Sequence, residues 1–584
     1  MTADQPMDDA IIVGIDFGTT YSGVAWAYSK EPDEIELVTS WEAELNHCSD
    51  VEKAPTQLLY SSERDTSWGY SIPADEDALR WFKLLLLDEG DIPPDVSNSS
   101  QLQHARKLLG ELKKDPVDVI GCFLRKIWNH TIDSIRRSIG AELLQKSRFY
   151  VVITLPAIWP PYAQQRMKQA ARISGILDAR PCGDTTLRFI SEPEAAALAT
   201  IKDLSKRSTM KVGDTMVICD AGGGTVDLIS YVVESTDPFV VKECVRGDGG
   251  LCGGVFLDEN FLELIKRKVG PASWQSVSVA EQKKFLNDGW EHGIKPQFSN
   301  QNRTWLVDLP DSCGGPASNS KLKRRRTLEL SSYDIRSVYT PIIAKIEALV
   351  KRQTEAIQSK YGQRATYIIL VGGFGRSSYL FNNLQSTFGT TVLQSRGNKP
   401  WTAICRGAVV RGINGHGVST GLRVQIGSRV ARKSYGIYFT EEFDEKKHLQ
   451  HHKFWSENYQ KWYANNQMKW FLKEGDNMLT QQPVRRSYQR LYSGHIGQVD
   501  QAIYTCTEFP PPETFGSTVK KLCNIQWTRD INIESLPTYT NCLGKVFHKL
   551  SFDVEMTCED GIVDFTVYFE GKRVGAHNVE VQFR

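Results

Sequence analysis

Long apolar runs are missing from this chain. None approaches the roughly 18 residues that a transmembrane helix requires, so the reading contains no membrane span and no membrane partner. Paired cysteine spacing is missing as well. The 12 cysteines are scattered, none lies in a CxxC pair, and Cys122, Cys219 and Cys405 sit in apolar contexts. That usage reads as reduced thiols of an intracellular protein, not as disulfides or a metal site. An excess of charge is also lacking. Lys and Arg total 70 against 69 Asp and Glu, a net charge of +1, so no overall field draws the chain to nucleic acid, an anionic membrane or an acidic partner. Met1 to Asp9 is acidic and polar, and the short apolar run behind it ends in a charge, which excludes a secretory leader from the reading. What remains is 41% hydrophobic and 24% charged over 584 residues, the composition of a soluble globular protein with room for three or four compact units. A cytoplasmic location is expected.

What is there centres on Ile11 to Ala25, Ile-Ile-Val-Gly-Ile-Asp-Phe-Gly-Thr-Thr-Tyr-Ser-Gly-Val-Ala. An apolar run ends in Asp16, a glycine turn with two threonines follows, and a second strand-like run continues to Tyr28. This predicts a β-hairpin whose turn gathers backbone N–H groups, two hydroxyls and one carboxylate. A nest of N–H groups with hydroxyls suits a phosphate. A lone carboxylate beside phosphates suits a magnesium ion that keeps most of its waters. Met216 to Val233 repeats the device, with Asp220, Gly222, Gly223, Gly224 and Thr225 at its turn. Two such hairpins point to an internal duplication with a nucleotide held between the halves.

Around these motifs the pattern alternates strands and helices. Strands are expected over Ile35–Trp41 and Ala54–Tyr60, the second entering an edge of the first hairpin's sheet. Asp77 to Leu87 places Lys83 between Phe82 and a run of leucines. It reads either as a snorkelling lysine on a core segment or as a cation reaching the phosphates, and the spacing alone favours the first. Asp88–Gln101 is expected to be a loop. Val117–Ser138 has helical apolar spacing, Ser147–Leu155 is a buried strand, Tyr162–Gly175 a helix and Leu187–Ile190 a strand. Glu192 then sits where a helix opens with Pro193 and Glu194 in its first turn. A carboxylate there points into a cleft or merely serves the helix end. Arg246–Gly254 is glycine-rich, either for a close approach to a ligand or for turning. Helices are expected over Phe256–Val269, Glu281–Lys295, Ser332–Tyr361 and Pro400–Gly412. The strand Tyr367–Val371 runs into Gly372–Gly373, a place where a flat ligand can lie against backbone. The basic run Lys321–Arg326 reads as a solvated loop, with a nuclear address or a nucleic-acid patch as the alternatives. After a glycine-bearing linker, 413–421, the texture changes to short aromatic and β-branched strands, so 422–584 is expected to be a separate β-domain. It ends in a hairpin, Leu550–Thr557 with Ile562–Phe569, closed by Val579–Phe583. His448, His451 and His452 are read as part of a solvated insertion and not as a metal site.

Taken together these motifs resemble the actin-like ATPase superfamily, and within it the 70-kDa heat-shock chaperones, in particular their divergent, lid-less relatives. Ile15–Ser22 is similar to the first phosphate motif of that family and Asp220–Asp227 to the second. Thr154–Ala157 followed by Ser191–Ala197 matches the connecting segment, and Leu370–Arg376 looks like the adenosine motif. The matches run in the family's order from about Ile11 to Gly412. The resemblance implies a duplicated, ribonuclease H-like α/β fold over 1–412 with a nucleotide cleft, followed by the β-rich domain. It implies Asp16 and Asp220 holding magnesium through water. Gly18, Thr19, Thr20, Tyr21, Gly222, Gly223, Gly224 and Thr225 would wrap the phosphates, and Glu192 would orient the attacking water. Lys83 falls where the family places a phosphate-contacting lysine. Gly253, Gly254, Glu291, Lys295, Gly372, Gly373 and Arg376 would frame ribose and adenine. Phe374 and Gly375 replace smaller polar residues of the adenosine loop, and Trp401 stands where the family often carries an acid. The implied activity is slow hydrolysis of ATP to ADP and phosphate, coupled to binding of an unfolded or specific protein client, with co-chaperones as further partners. A sugar kinase of the same superfamily and a non-catalytic ATP sensor are the alternatives.

Overall fold

The computed structural model describes residues 9–43, 50–61, 66–73, 76–92, 94–157, 159–205, 210–313, 327–417, 424–479, 483–527, 531–559 and 562–575. The basic run Lys321–Arg326, the strand expected over Val579–Phe583 and positions 418–421 of the linker lie outside them. The chain divides into two compact units, 1–425 and 426–584. Among the described residues no helix is long and apolar enough to cross a membrane.

The larger unit is built twice on one plan. Strand β1 (Ala10–Asp16) is buried along its whole length, as its apolar run requires of a central strand. It pairs antiparallel with β2 (Tyr21–Tyr28), Asp16 opposite Gly23. The short β3 (Lys53–Pro55) adds to the far side of β2, with Lys53 opposite Gly23. On its other side β1 runs parallel to β4 (Arg148–Leu155), and β4 parallel to β5 (Thr186–Ser191). The second half repeats this order. β6 (Thr215–Ala221) forms a hairpin with β7 (Val226–Thr236), Asp220 opposite Asp227, and β8 (Phe239–Gly250) adds outside β7. β6 then runs parallel to β9 (Tyr367–Val371), and β9 parallel to β10 (Thr391–Gln394).

Helices cover the sheets. α1 (Pro116–Ile139) starts with proline in its first turn and Asp115 as cap, whose Oδ1 accepts from the Val117 N–H at 2.8 Å. It buries Ile120, Phe123, Leu124 and Ile127 in the first core. α2 (Glu192–Ser205) follows β5 directly. α3 (Val255–Val269) and α4 (Ser332–Tyr361) cover the second core, α4 opened by a reciprocal Ser331–Asp334 cap. α5 (Lys399–His416) lies against β1. A Cβ on Gly14 would come 2.3 Å from the Cys405 carbonyl oxygen, and one on Gly407 only 1.7 Å from that of Ala195 in α2.

Several elements differ from the pattern in the sequence. Only Glu36–Leu37 of the expected 35–41 strand is extended in a sheet. The 54–60 stretch is divided. Lys53–Pro55 joins β2, whereas Gln57–Tyr60 turns into a separate sheet with Thr66–Trp68 and Leu79–Arg80. The break falls at Thr56, whose N–H donates to the Thr20 carbonyl at 2.8 Å and whose hydroxyl meets that of Ser22 at 2.8 Å. The acidic 88–101 segment is not a loop: it holds a 3-10 turn, Glu89–Asp91, the short helix Pro94–Ser97 and the start of Ser100–Leu112, capped by the Ser99 hydroxyl. The 281–295 helix is regular only over Val279–Phe285 and continues as a π-helix, Leu286–Ile294. α5 runs through Gly412 to His416, so the residues from Ile413 to His416 are helical instead of linker.

The smaller unit is all β. One sheet has the order Lys453–Ser456, Lys461–Leu472, Ser434–Glu442, Val499–Cys506, Lys520–Trp527. The other is centred on the hairpin Val546–Glu559 with Ile562–Phe569. Ile437, Phe471, Ile503, Leu550, Phe552, Val554 and Val567 share one core. Of the three histidines expected on a solvated insertion only His451 is exposed. His448 and His452 are buried, His448 accepting from the Asp444 N–H at 2.9 Å while its Nε2 meets Glu441 Oε1 at 3.0 Å.

Candidate functional site

The two glycine turns stand face to face. A Cβ on Gly223 would lie 2.1 Å from Thr20 Oγ1, and one on Gly224 lies 3.7 Å from Thr19 Cβ. Gly222 N–H closes its own turn on the Thr225 carbonyl at 2.9 Å. The loop ahead of α3 is stitched beneath it: Gly253, Gly254 and Val255 N–H groups donate to the carbonyls of Gly224, Gly222 and Gly223 at 3.1, 3.1 and 2.9 Å. Gly253 and Gly254 thus brace the second turn.

Four carboxylates converge where β1, β6, β7 and α2 meet. Asp16, Asp220, Asp227 and Glu192 are 2, 4, 2 and 6% exposed. Two lysines enter the same region. Lys83 comes from a 3-10 turn, Phe82–Leu86, reached through Trp81 at φ 62°. Its Nζ is 2.5 Å from Glu192 Oε1 and lies over the rings of Phe17 and Trp159 at 5.7 and 5.5 Å. It does not snorkel to water: its side chain is 2% exposed. Lys53 Nζ is 2.5 Å from Asp16 Oδ2.

Burial and crowding set the protonation of the cluster. Burial pushes Asp220 well above the ordinary carboxylate range, Glu192, Asp227 and Asp16 add repulsion, and Lys53 opposes it. Burial, with the charge of Glu192, pushes Asp227 up to about 7, and the Thr225 hydroxyl and Lys83 pull the other way. Glu192 is raised by burial and restrained by Lys83. Burial works against the charge of Lys53, yet Asp16 holds its ammonium above the ordinary value. Asp220 Oδ1 and Asp227 Oδ2 are buried with no hydrogen-bond partner. Unfilled buried acceptors of this kind call for a missing donor. Four carboxyl groups against two ammonium groups fit a divalent cation, whose charge would draw Asp220 and Asp227 back to their ionised forms. Among the described residues no group of three or more acidic, histidine or cysteine side chains is placed to hold a metal ion directly; an ion here would meet Asp16 and Asp220 through its own waters.

A second group of residues flanks the first. Lys295, at the end of the π-helix, donates to Asp258 Oδ1 at 2.8 Å and Glu291 Oε2 at 2.7 Å. Burial raises Asp258 to about 6 against the pull of Lys295. Tyr21 feels the same pair: burial and the Glu291 charge raise its hydroxyl to about 12, with Lys295 opposing. Gly372, at φ 85°, lies against the Ala221 carbonyl and Asp220, leaving no room for a side chain. Gly373 packs on Trp401. The Trp401 ring also meets Tyr21 at 5.7 Å, the Arg376 guanidinium at 5.7 Å and Lys53 Nζ at 6.0 Å. Gly18 follows the strand end at Asp16 and is shaped by the Tyr21 carbonyl, 2.1 Å from where its Cβ would be.

The residues singled out in the sequence therefore fall in one region. Sequence reasoning gave no role to Lys53, Asp227 or Asp258. Asp227 carried a signal, since the four-residue turn Gly222–Thr225 between the strands sets it opposite Asp220. Lys53 carried none, because its partner is 37 positions away on another strand.

Paired glycine turns on duplicated hairpins, with a carboxylate cluster between them and a Gly-Gly strand end beside it, define a nucleotide-binding domain of the actin-like ATPase fold. The chain belongs to the Hsp70 family: the family model described as Hsp70 protein matches residues 107–427. Residues 429–583 match a model described as Domain of unknown function (DUF8568). Among similar proteins, Heat shock 70 kDa protein 12A of Homo sapiens is 23% identical over 524 residues, covering 75% of this chain and 73% of the relative. Heat shock 70 kDa protein 12B of Homo sapiens is 24% identical over 478 residues, 67% of each chain. The Chaperone protein HscA homolog of Haemophilus influenzae is 29% identical over 286 residues, 48% of this chain and 38% of the relative. The chain is thus a divergent, chaperone-like nucleotide-binding member of that family.

Proposed function

We propose that the protein binds ATP with magnesium, hydrolyses it slowly and couples nucleotide state to binding of a protein or peptide by its β-domain. The observation that carries this reading is the buried carboxylate cluster between the two glycine turns, with unpartnered oxygens on Asp220 and Asp227. In this reading Gly18, Thr19, Thr20, Gly222, Gly223, Gly224 and Thr225 wrap the β- and γ-phosphates, and Asp16 and Asp220 hold the hydrated metal. Magnesium supplies charge neutralisation at the transferring phosphoryl group. Hydrolysis needs positioning and electrostatics more than covalent chemistry. Glu192, fixed by Lys83, orients the attacking water. Asp227, at about 7, is suited to take its proton near neutral pH. Lys83, one donor committed to Glu192, offers the others to phosphate oxygens. Glu291, Lys295, Tyr21, Gly253, Gly254, Gly372, Gly373 and Arg376 frame the nucleoside. In the β-domain, Trp455 and Trp462 are 41 and 49% exposed on neighbouring strands, which supports a partner surface there.

The test is steady-state phosphate release from ATP and magnesium by wild type and Asp16→Asn, with and without unfolded peptide. Slow release, reduced at least tenfold in the variant and altered by peptide, is expected. Turnover unchanged in Asp16→Asn, or no nucleotide binding by wild type, overturns the reading.

A further inference from the structure

Lys53 belongs to none of the motifs that mark the site, yet it is bound directly into it. β3 pairs with β2 so that Lys53 stands opposite Gly23, and Gly23 stands opposite Asp16 on β1. The three residues form one row across three strands. The middle member has no side chain, and the gap is used: a Cβ on Gly23 would fall 2.8 Å from Lys53 Cγ and 3.3 Å from Cδ. The lysine stem crosses over Gly23 and brings Nζ 2.5 Å from Asp16 Oδ2. The row cannot slip, because Thr56 is held to Thr20 and Ser22. The Trp401 ring, 6.0 Å from Nζ, flanks the ammonium, and only 5% of the residue is exposed. An ammonium has three donors. Asp16 takes one, and the turn that presents Thr19 and Thr20 begins two residues beyond Asp16.

We propose that Lys53 is a resident cation of the phosphate site, contacting the nucleotide's phosphates and reducing the dependence of nucleotide binding on divalent metal. This rests on the nucleotide reading above. With its own ammonium on Asp16, the site meets a polyphosphate with a fixed positive charge already in place. In a site where Asp16 lacked that partner, the compensation would fall to the metal and Lys83.

The experiment is calorimetric binding of ATP to the full chain, in millimolar magnesium and in EDTA, for wild type, Lys53→Met and Gly23→Ala. The alanine variant keeps the lysine but obstructs its path. Wild type is expected to lose no more than about tenfold in affinity when magnesium is removed, ~1.4 kcal/mol. Both variants are expected to lose at least tenfold more than wild type on the same change. A wild-type loss above tenfold, or variants with the wild-type magnesium dependence, overturns the role of Lys53 and leaves the nucleotide reading standing. No ATP binding by wild type under either condition overturns both. If circular dichroism shows that Lys53→Met does not fold, the wild-type ratio and Gly23→Ala decide.

Discussion

At the scale of single residues the site is a set of buried charges that stabilise one another only in combination. Lys83 and Glu192 form a pair with 2 and 8% side-chain exposure. Removing one member strands the other charge in a low-dielectric interior, which typically costs about 3–5 kcal/mol. Lys83→Met is therefore expected to lower unfolding stability by that order, read from urea midpoints. Asp227 gives a prediction in pH. Its folded value of about 7 lies above the ordinary 3.8. Between those values the native state keeps a proton that the unfolded chain has released, so stability falls as pH rises through that window. Asp227→Asn removes the penalty. Without nucleotide it is expected to be more stable than wild type at pH 8, by about 2–4 kcal/mol, with the difference shrinking towards pH 4. Equal urea midpoints for both proteins at pH 8 would refute this. The residues also show why legibility was uneven. Asp16 and Asp220 end apolar runs beside glycines, so neighbours in sequence announce them. Lys53 and Asp258 take their meaning from partners brought in by β-pairing and by a helix.

At the scale of elements, the hairpins were legible because each is self-contained: two apolar strands and a turn within about 20 residues. The parallel strands β4 and β9 were legible as continuous buried runs. Elements set by distant contacts were not. Thr56 divides one expected strand by bonding to Thr20 and Ser22, and the acidic 88–101 stretch, disguised by its Pro and Ser content, holds a 3-10 turn, a short helix and the Ser99-capped start of a third element. His448 is buried although its neighbours in sequence are charged, because Asp444 and Glu441 fold over to meet its two ring nitrogens. Element packing yields a third prediction. A Cβ on Gly407 would fall 1.7 Å from the Ala195 carbonyl, so α5 and α2 touch through backbone. Gly407→Ala is expected to push them apart and shift Glu192, the first residue of α2. The expected result is a thermal midpoint lower by several degrees together with ATP affinity reduced at least threefold. Unchanged affinity in a folded variant would disprove the link.

At the scale of the whole molecule, two units with separate cores carry different kinds of information. Every residue of the candidate site lies in 1–425. Calorimetry of the full chain is therefore expected to resolve two transitions. ATP at 100 times its dissociation constant is expected to stabilise only one of them, by about 2.7 kcal/mol. Stabilisation of both would show that the units unfold as one.

The packing of α5 on β1 also fixes an order of events during synthesis. β1 is the first of the described strands to leave the ribosome, and Cys405, which closes over Gly14, follows about 390 residues later. At roughly 5–20 residues per second, that face of the strand stays uncovered for on the order of 20–80 s. A nascent chain arrested before Lys399 exposes Ile12 and Ala25, which are buried beneath α5 in the finished protein. The opposite face, with Ile11, Val13 and Ile15, packs in a core whose buried residues all lie before 190, so one strand gains its two covers at widely separated times.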